Sequence, residues 1–260
     1  KDDREGELMD IAALKSEDLT PKGHDRIRRN LFAAFLDACK TQGANCEIVT
    51  DGDGRQFTYG ELRRAAFALS SPLRKTTKPS ENIGILLPTG AGAVIALLSI
   101  HAAGRVPAML NFTAGLRNLT AAIQTAPIAT IVTAHKFIEI AGLQSLIEDL
   151  SKVVNIVYLE DMREQLGLSA KLRALLGPVF PSLFAPKSTP DDTAIILFTS
   201  GTEGNPKGVV LTHANILANI EQIEQHVQLE DGDKFFNPLP TFHCYGLTAG
   251  TLWPIFSGYP

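Results

Sequence analysis

Between Asn82 and Asp161 short, continuous apolar runs alternate with longer stretches in which apolar residues recur every three or four positions. The runs at 83–87, 106–111, 129–133 and 153–159 predict strands, and the stretches at 94–103, 116–125 and 137–150 predict helices. Strands with no polar face are those buried on both sides. The pattern therefore implies an α/β fold, a mostly parallel sheet with helices on both faces. Upstream, helical spacing at 31–39 is followed by two short strand candidates, 46–50 and 55–59, around the tight-turn sequence DGDG at Asp51–Gly54, and then by a helix at 59–70. Downstream come a helix at 162–176, a proline-containing stretch at 177–190 expected to be a surface loop, and a strongly apolar strand entering residues 195–208. Residues 1–29 mix charges of both signs around Pro21 and Gly23 and read as a linker or a loosely docked segment ahead of a domain spanning 30–260.

Composition narrows the function classes. The chain has 260 residues, 45% of them hydrophobic and 20% charged, which is a globular balance with enough length for a substantial core. A net charge of −4, with Lys and Arg scattered, leaves no basic field, so nucleic acid is not an expected partner. Cys39, Cys46 and Cys244 lack metal-ligand spacing and suggest buried thiols in a reducing compartment, hence a cytoplasmic expectation. The longest apolar candidate, 93–104, is too short to span a bilayer and contains His101; the charged start KDDREGELMD is no signal peptide. Without an initiator Met, the sequence reads as cut from something longer.

The chemistry concentrates in Ile195–Gly208, IILFTSGTEGNPKG. An apolar strand breaks into a loop where Thr199, Ser200 and Thr202 offer hydroxyls. Gly201, Gly204 and Gly208 let backbone N–H groups approach an anion, and Lys207 adds a positive charge. A P-loop needs Gly before the Lys and Ser or Thr after it; Pro206 and Gly208 stand there instead. The alternative is an ordinary polar turn between two strands.

Over its full length the segment resembles the phosphate-binding signature of adenylate-forming enzymes, with Glu203 where the usual form has a second Thr or Ser. With the run ILANIEQI at 216–223, it is similar to the acyl-acyl carrier protein synthetase half of bifunctional 2-acylglycerophosphoethanolamine acyltransferase/synthetase proteins. The resemblance implies that Thr199, Ser200, Gly201, Thr202, Glu203, Gly204 and Lys207 hold ATP, with Thr202 and Lys207 acting in catalysis. It also implies that PLPTFHCYGLTAG at 238–250 places Phe242, His243 and Gly246 at the carboxylate end of a substrate pocket. A fatty acid would be activated as an acyl-adenylate and passed to acyl carrier protein or CoA. Mg2+ ligands, the adenine pocket and a catalytic Lys are expected beyond Pro260, so the chain reads as the first half of a synthetase, inactive alone. An upstream acyltransferase domain would place the longer protein at the inner face of the membrane.

Two other readings compete. TGAGAVI at 89–95 is a partial dinucleotide fingerprint after a strand, but Ile95 replaces the third glycine and the next strand ends in Asn111 rather than an acid. It supports a dinucleotide-dependent oxidoreductase or, equally, a small-residue helix entry; a catalytically silent module is the third possibility. His101 and His213 are expected to be structural. Thr212 should cap a helix, and 234–237 should form a strand. The small residues Gly246, Thr248, Ala249 and Gly250 suit either an acyl channel or close helix packing.

Overall fold

The computed structural model describes residues 25–199, 206–227, 229–230 and 232–260. Asn30 caps the first helix, α1 (Leu31–Gln42), by accepting the Ala33 N–H, and the helix buries Leu31, Phe32, Phe35 and Cys39. The strands β1 (Glu47–Thr50) and β2 (Gln56–Thr58) pair antiparallel around the DGDG turn. Thr58 and Glu61 then form a capping box that starts α2 (Tyr59–Thr76). The Glu61 carboxylate accepts the Thr58 N–H, and that bond lowers its pKa from the ordinary value. The helix runs past Ser70, where sequence reasoning stopped it, with Pro72 inside. Burial of Phe67, Leu69 and Leu73 on its inner face outweighs one missing backbone hydrogen bond.

The main sheet follows as β3 (Asn82–Ile85), α3 (Ala91–Ala102), β4 (Val106–Met109), α4 (Gly115–Thr125), β5 (Thr130–Thr133), α5 (His135–Ile140), α6 (Gln144–Leu150) and β6 (Asn155–Tyr158). The chain continues through α7 (Leu159–Glu164), α8 (Leu168–Leu176), α9 (Pro181–Phe184), β7 (Thr193–Thr199), β8 (Lys207–Thr212) and α10 (His213–His226). The strand order is β6-β5-β3-β4-β7-β8. All neighbours are parallel except β7 and β8, which pair antiparallel from Thr193↔Thr212 to Thr199↔Lys207. This is the α/β architecture read from the sequence. Apolar side chains cover both faces: along β7, Ile195 and Leu197 enter one hydrophobic cluster with α1, α2, α3 and α10, and Ile196 enters the other with α4 and α6.

Three element expectations need correction. The helix expected over 137–150 is two, α5 and α6, separated at Gly142, whose φ of +65° a helix interior does not accept. The one expected over 162–176 is also two, α7 and α8, with Gly167 extended between them. Residues 234–237 form no strand; Asn237 instead turns its side chain to Gly246, Thr251 and Leu239. The chain ends in α11 (Cys244–Leu247), a π-helical turn (Thr248–Leu252) and α12 (Trp253–Ser257). Pro254, which has no N–H to give to Gly250, sits just past the widened turn. Tyr59 ties this C-terminal helix to α2 by donating its hydroxyl to the Ile255 carbonyl at 2.5 Å.

Candidate functional site

Because β3, β4 and β7 are parallel, the loops that leave their carboxyl ends emerge along one edge of the sheet, the edge where open α/β sheets bind ligands. The loop leaving β7 is the glycine- and hydroxyl-rich one. Thr199 and Lys207 are its flanks, and the β7–β8 ladder sets them directly opposite each other, both exposed. Ser200, Gly201, Thr202, Glu203 and Gly204 lie outside the described residues. On the far side, Gly208 packs over Thr125 of α4, whose hydroxyl lies 3.5 Å from the Pro206 carbonyl oxygen. The pairing of β7 with β8 fixes the separation of the loop's two ends.

The loop leaving β3 reaches the second signature. Thr89 Oγ1 donates to Leu239 O at 2.9 Å and accepts from Thr241 N at 3.1 Å, pinning 239–241 to the carboxyl end of β3. His243 N donates to Pro240 O at 3.0 Å, and His243 itself is exposed just before α11. Phe242 is half-buried and meets Phe112, in the loop after β4, edge-on at 5.4 Å. Thr199 with Lys207, and Phe242 with His243, are thus gathered at one sheet edge as two groups. No hydrogen bond or ring contact joins the two groups among the described residues.

Gly246 is buried, and a Cβ there would lie 2.3 Å from Pro240 O. At Gly250 a Cβ would lie 2.4 Å from the Asn237 side chain. Both spaces are filled by the loop that presents His243, so Gly246 and Gly250 are closely packed there. Sequence reasoning missed Thr89 as the pin and Asn237 as the brace. Their partners are distant in sequence or set by a local turn that periodicity does not reveal.

The dinucleotide fingerprint has a packing explanation as well. Gly90 has φ +151°, and a Cβ there would meet Asp51 Oδ1 at 2.6 Å, so this glycine serves the contact between the β1–β2 turn and the start of α3. The same loop lines a groove of about 980 Å3 floored by Phe57, Leu69, Leu87 and Phe137. Among the described residues no three His, Cys, Asp or Glu side chains converge to hold a metal ion.

His101 and His213 are buried with ring centroids 5.5 Å apart. Burial pushes the Cys39 thiol up to about 12; of the other two thiols, expected to be buried, Cys46 is half-buried and Cys244 is exposed. No described helix is long and apolar enough to cross a membrane.

A parallel α/β sheet with a hydroxyl-, glycine- and lysine-bearing hairpin at its carboxyl edge is the layout of the adenylate-forming N-terminal domain. Residues 35–260 match the AMP-binding enzyme family, and the chain belongs to that family. It is 29% identical over 219 residues to the medium-chain fatty-acid–CoA ligase of Escherichia coli (strain K12), a match covering 81% of this chain and 38% of that protein. A shorter match, 54% identical over 55 residues, is to a chloroplastic long-chain-fatty-acid–[acyl-carrier-protein] ligase of Arabidopsis thaliana, covering 21% of this chain and 8% of the ligase. In fold, the chain is similar to the fatty acyl-adenylate ligase of L. pneumophila in complex with acyl adenylate and pyrophosphate. The TM-score is 0.71 at 20% identity, over 93% of this chain and 40% of that one. The chain spans well under half the length of these relatives.

Proposed function

We propose that this chain supplies the phosphate clamp and the carboxylate end of the pocket in an enzyme that activates a fatty acid with ATP. A carboxylate oxygen attacks the α-phosphorus, the bond from that phosphorus to the pyrophosphate oxygen breaks, and acyl-adenylate forms. A thiolate then attacks the acyl carbon and AMP leaves. The observation that carries this reading is the antiparallel β7–β8 pairing, which holds Thr199 opposite Lys207 at the sheet edge where Thr89 also anchors the Phe242–His243 loop. In this reading Lys207 balances charge on departing pyrophosphate, and the hydroxyls of Ser200 and Thr202, present in the sequence, add neutral donors. His243 orients the carboxylate; a carboxylate nucleophile is already ionised at neutral pH and needs no base.

The named relatives act on fatty acids, which supports that substrate class, and they use either CoA or acyl carrier protein as acceptor. The sequence around Glu203 and 216–223 supports the carrier-protein acceptor and the bifunctional acyltransferase/synthetase relationship. ATP–pyrophosphate exchange dependent on a fatty acid tests the reading in the longer protein that contains this chain. Lys207→Ala and Thr202→Val should each lower exchange by about 10- to 1,000-fold, the scale of losing one preorganised donor. Exchange unchanged in both variants overturns the clamp assignment. Preference for acetate or an aromatic acid overturns the fatty-acid assignment.

A further inference from the structure

The groove of about 980 Å3 reaches the His243 loop at two side chains, Thr89 and Phe112. Thr89 has its hydroxyl engaged as donor to Leu239 O and as acceptor from Thr241 N. Phe112, in the loop after β4, lines the groove together with Phe137, and its ring also meets Phe242, which is not part of the groove lining. The centroids of Phe112 and Phe137 are 5.0 Å apart at 71°, and those of Phe112 and Phe242 are 5.4 Å apart at 90°. Both pairs are close to the edge-on arrangement that aromatic rings favour. Among the described residues no ring contact joins Phe137 to Phe242, so Phe112 is the central member of the row.

Local hydrogen bonds hold the backbone beneath each of the three rings. The N–H groups of His135 and Lys136 donate to the Glu160 carboxylate at 3.1 and 3.3 Å, and the His135 ring stacks on Tyr158 at 3.7 Å, which ties the start of α5, and with it Phe137, to β6 and α7. Asn111 Oδ1 accepts from Thr113 N at 2.9 Å and from Thr113 Oγ1 at 2.7 Å, so the turn around Phe112 is closed on itself. Phe242 is held from both sides, by the bond from Thr241 N to Thr89 and by that from His243 N to Pro240 O. All three rings are half-buried. A phenyl ring has neither donor nor acceptor, so the row offers water nothing to bind, and the hydroxyl beside it is already used in both roles.

We propose that Phe112 is a partition between this groove and the reacting acyl group, its ring closing the groove side of the His243 loop so that groove water does not reach the acyl-adenylate. The inference rests on the adenylation reading, which sets the substrate carboxylate beside Phe242 and His243. An acyl-adenylate is a mixed anhydride. Water attacking its acyl carbon breaks the bond to the AMP oxygen, AMP leaves with that electron pair, and the fatty acid carboxylate returns with release of protons to solvent. ATP is then consumed without any thioester. Keeping water from such an intermediate is a recognised role of enclosed sites, and a row of fixed apolar rings performs it without touching the reacting atoms.

The test uses the longer protein that contains this chain and compares fatty-acid-dependent AMP release, measured without a thiol acceptor, with ATP–pyrophosphate exchange. Phe112→Ala should raise acceptor-free AMP release by at least ~10-fold, which requires a hydrolysis barrier only ~1.4 kcal/mol lower, while exchange persists. Phe112→Tyr keeps the ring and should stay near the wild type. Phe112→Leu keeps apolar volume without the ring edge and should leak to an intermediate extent; it takes the place of the alanine variant if a thermal melt shows that the latter has lost its fold. Ile140→Ala alters an exposed groove residue outside the row and should leave AMP release unchanged. AMP release at the wild-type level in folded Phe112→Ala or Phe112→Leu overturns the partition, and so does an equal rise in Ile140→Ala. Exchange and AMP release falling together in a folded Phe112 variant also overturns it, since the ring would then place substrate. A wild type without fatty-acid-dependent exchange overturns the adenylation reading itself, and this inference with it.

Discussion

Acidification should destabilise the fold well above the range in which ordinary carboxylates titrate, through two histidines that the core holds neutral. His213, the first residue of α10, is 3% exposed, and its Nδ1 accepts the N–H of Leu31 at 3.1 Å, an interaction that a proton on Nδ1 abolishes. Burial, opposed in part by Asp192, lowers its pKa from 6.5 to about 4. His101, 4% exposed and stacked at an angle on His213, has a buried Nε2 without a hydrogen-bond partner; burial first, and His213 second, hold it well below 6.5.

In the unfolded chain both rings take up protons near the ordinary value, so below it the unfolded state binds more protons than the native state, and stability falls as pH falls. The stabilisation is complete above 6.5 and is lost progressively down to the folded pKa. Between pH 7.5 and 5.0 the His213 shift amounts to about 2 kcal/mol, and a native His101 that stays neutral adds about the same. Urea unfolding at a series of pH values measures this as a falling midpoint at constant slope. His101→Leu removes one titrating group without leaving a new unpaired polar atom, so its stability should fall by only about half as much over the same range. Wild-type stability unchanged down to pH 5.0, or parallel pH curves for wild type and His101→Leu, refutes the reasoning.

Thr89→Val removes both hydrogen bonds that hold 239–241, leaving Thr241 N without that acceptor; it should destabilise the protein by about 1–3 kcal/mol and weaken carboxylate use more than ATP use in exchange assays. Gly246→Ala drives a methyl group into the Pro240 carbonyl, so it should shift the His243 loop and cost about 1–3 kcal/mol in denaturant unfolding, whereas a neutral outcome would mean that the loop yields freely.

The sheet was legible in sequence because strands buried on both faces read as continuous apolar runs, as β3, β4, β5 and β7 do; β6, at the sheet edge, is only half-buried and was legible from its own apolar run. Element boundaries were less legible where a glycine or proline acts through its surroundings. Gly142 divides a helix whose periodicity continues past it, while Pro72 fails to end one because the helix flank is buried. The strand expected at 234–237 failed for a local reason. Asn237 gives its side chain to Gly246 and Thr251 just ahead of Pro238 and Pro240, so the segment forms a turn instead of a strand. The site divides in the same way. Hydroxyls, glycines and a lysine in fixed order are the local signal behind the proposed anion loop, but the Thr89 bonds bridge 150 and 152 positions and leave no local trace.

For the proposed phosphate clamp, the hairpin geometry also determines which group must supply charge. Anion sites in many α/β proteins lie at the N-terminus of the helix that follows a strand, where the helix dipole contributes about half a positive charge. Here the segment after the loop is β8, a strand, and the next helix begins only at His213. That helix start is already closed by a reciprocal capping box, Thr212 Oγ1 accepting the Asn215 N–H and Asn215 Oδ1 accepting the Thr212 N–H. No helix dipole is therefore available directly after the loop, and Lys207 carries the full fixed charge among the described residues of the hairpin. Removing that charge should cost more than removing a neutral donor, since an ammonium adds the attraction between two full charges to its hydrogen bond while a hydroxyl brings only a dipole. Lys207→Met should accordingly reduce fatty-acid-dependent ATP–pyrophosphate exchange more than Thr199→Val, and Lys207→Arg should recover part of the loss. Equal deficits for Lys207→Met and Lys207→Arg would show that the clamp depends on lysine shape instead of charge, and a larger deficit for Thr199→Val would remove Lys207 from its central place.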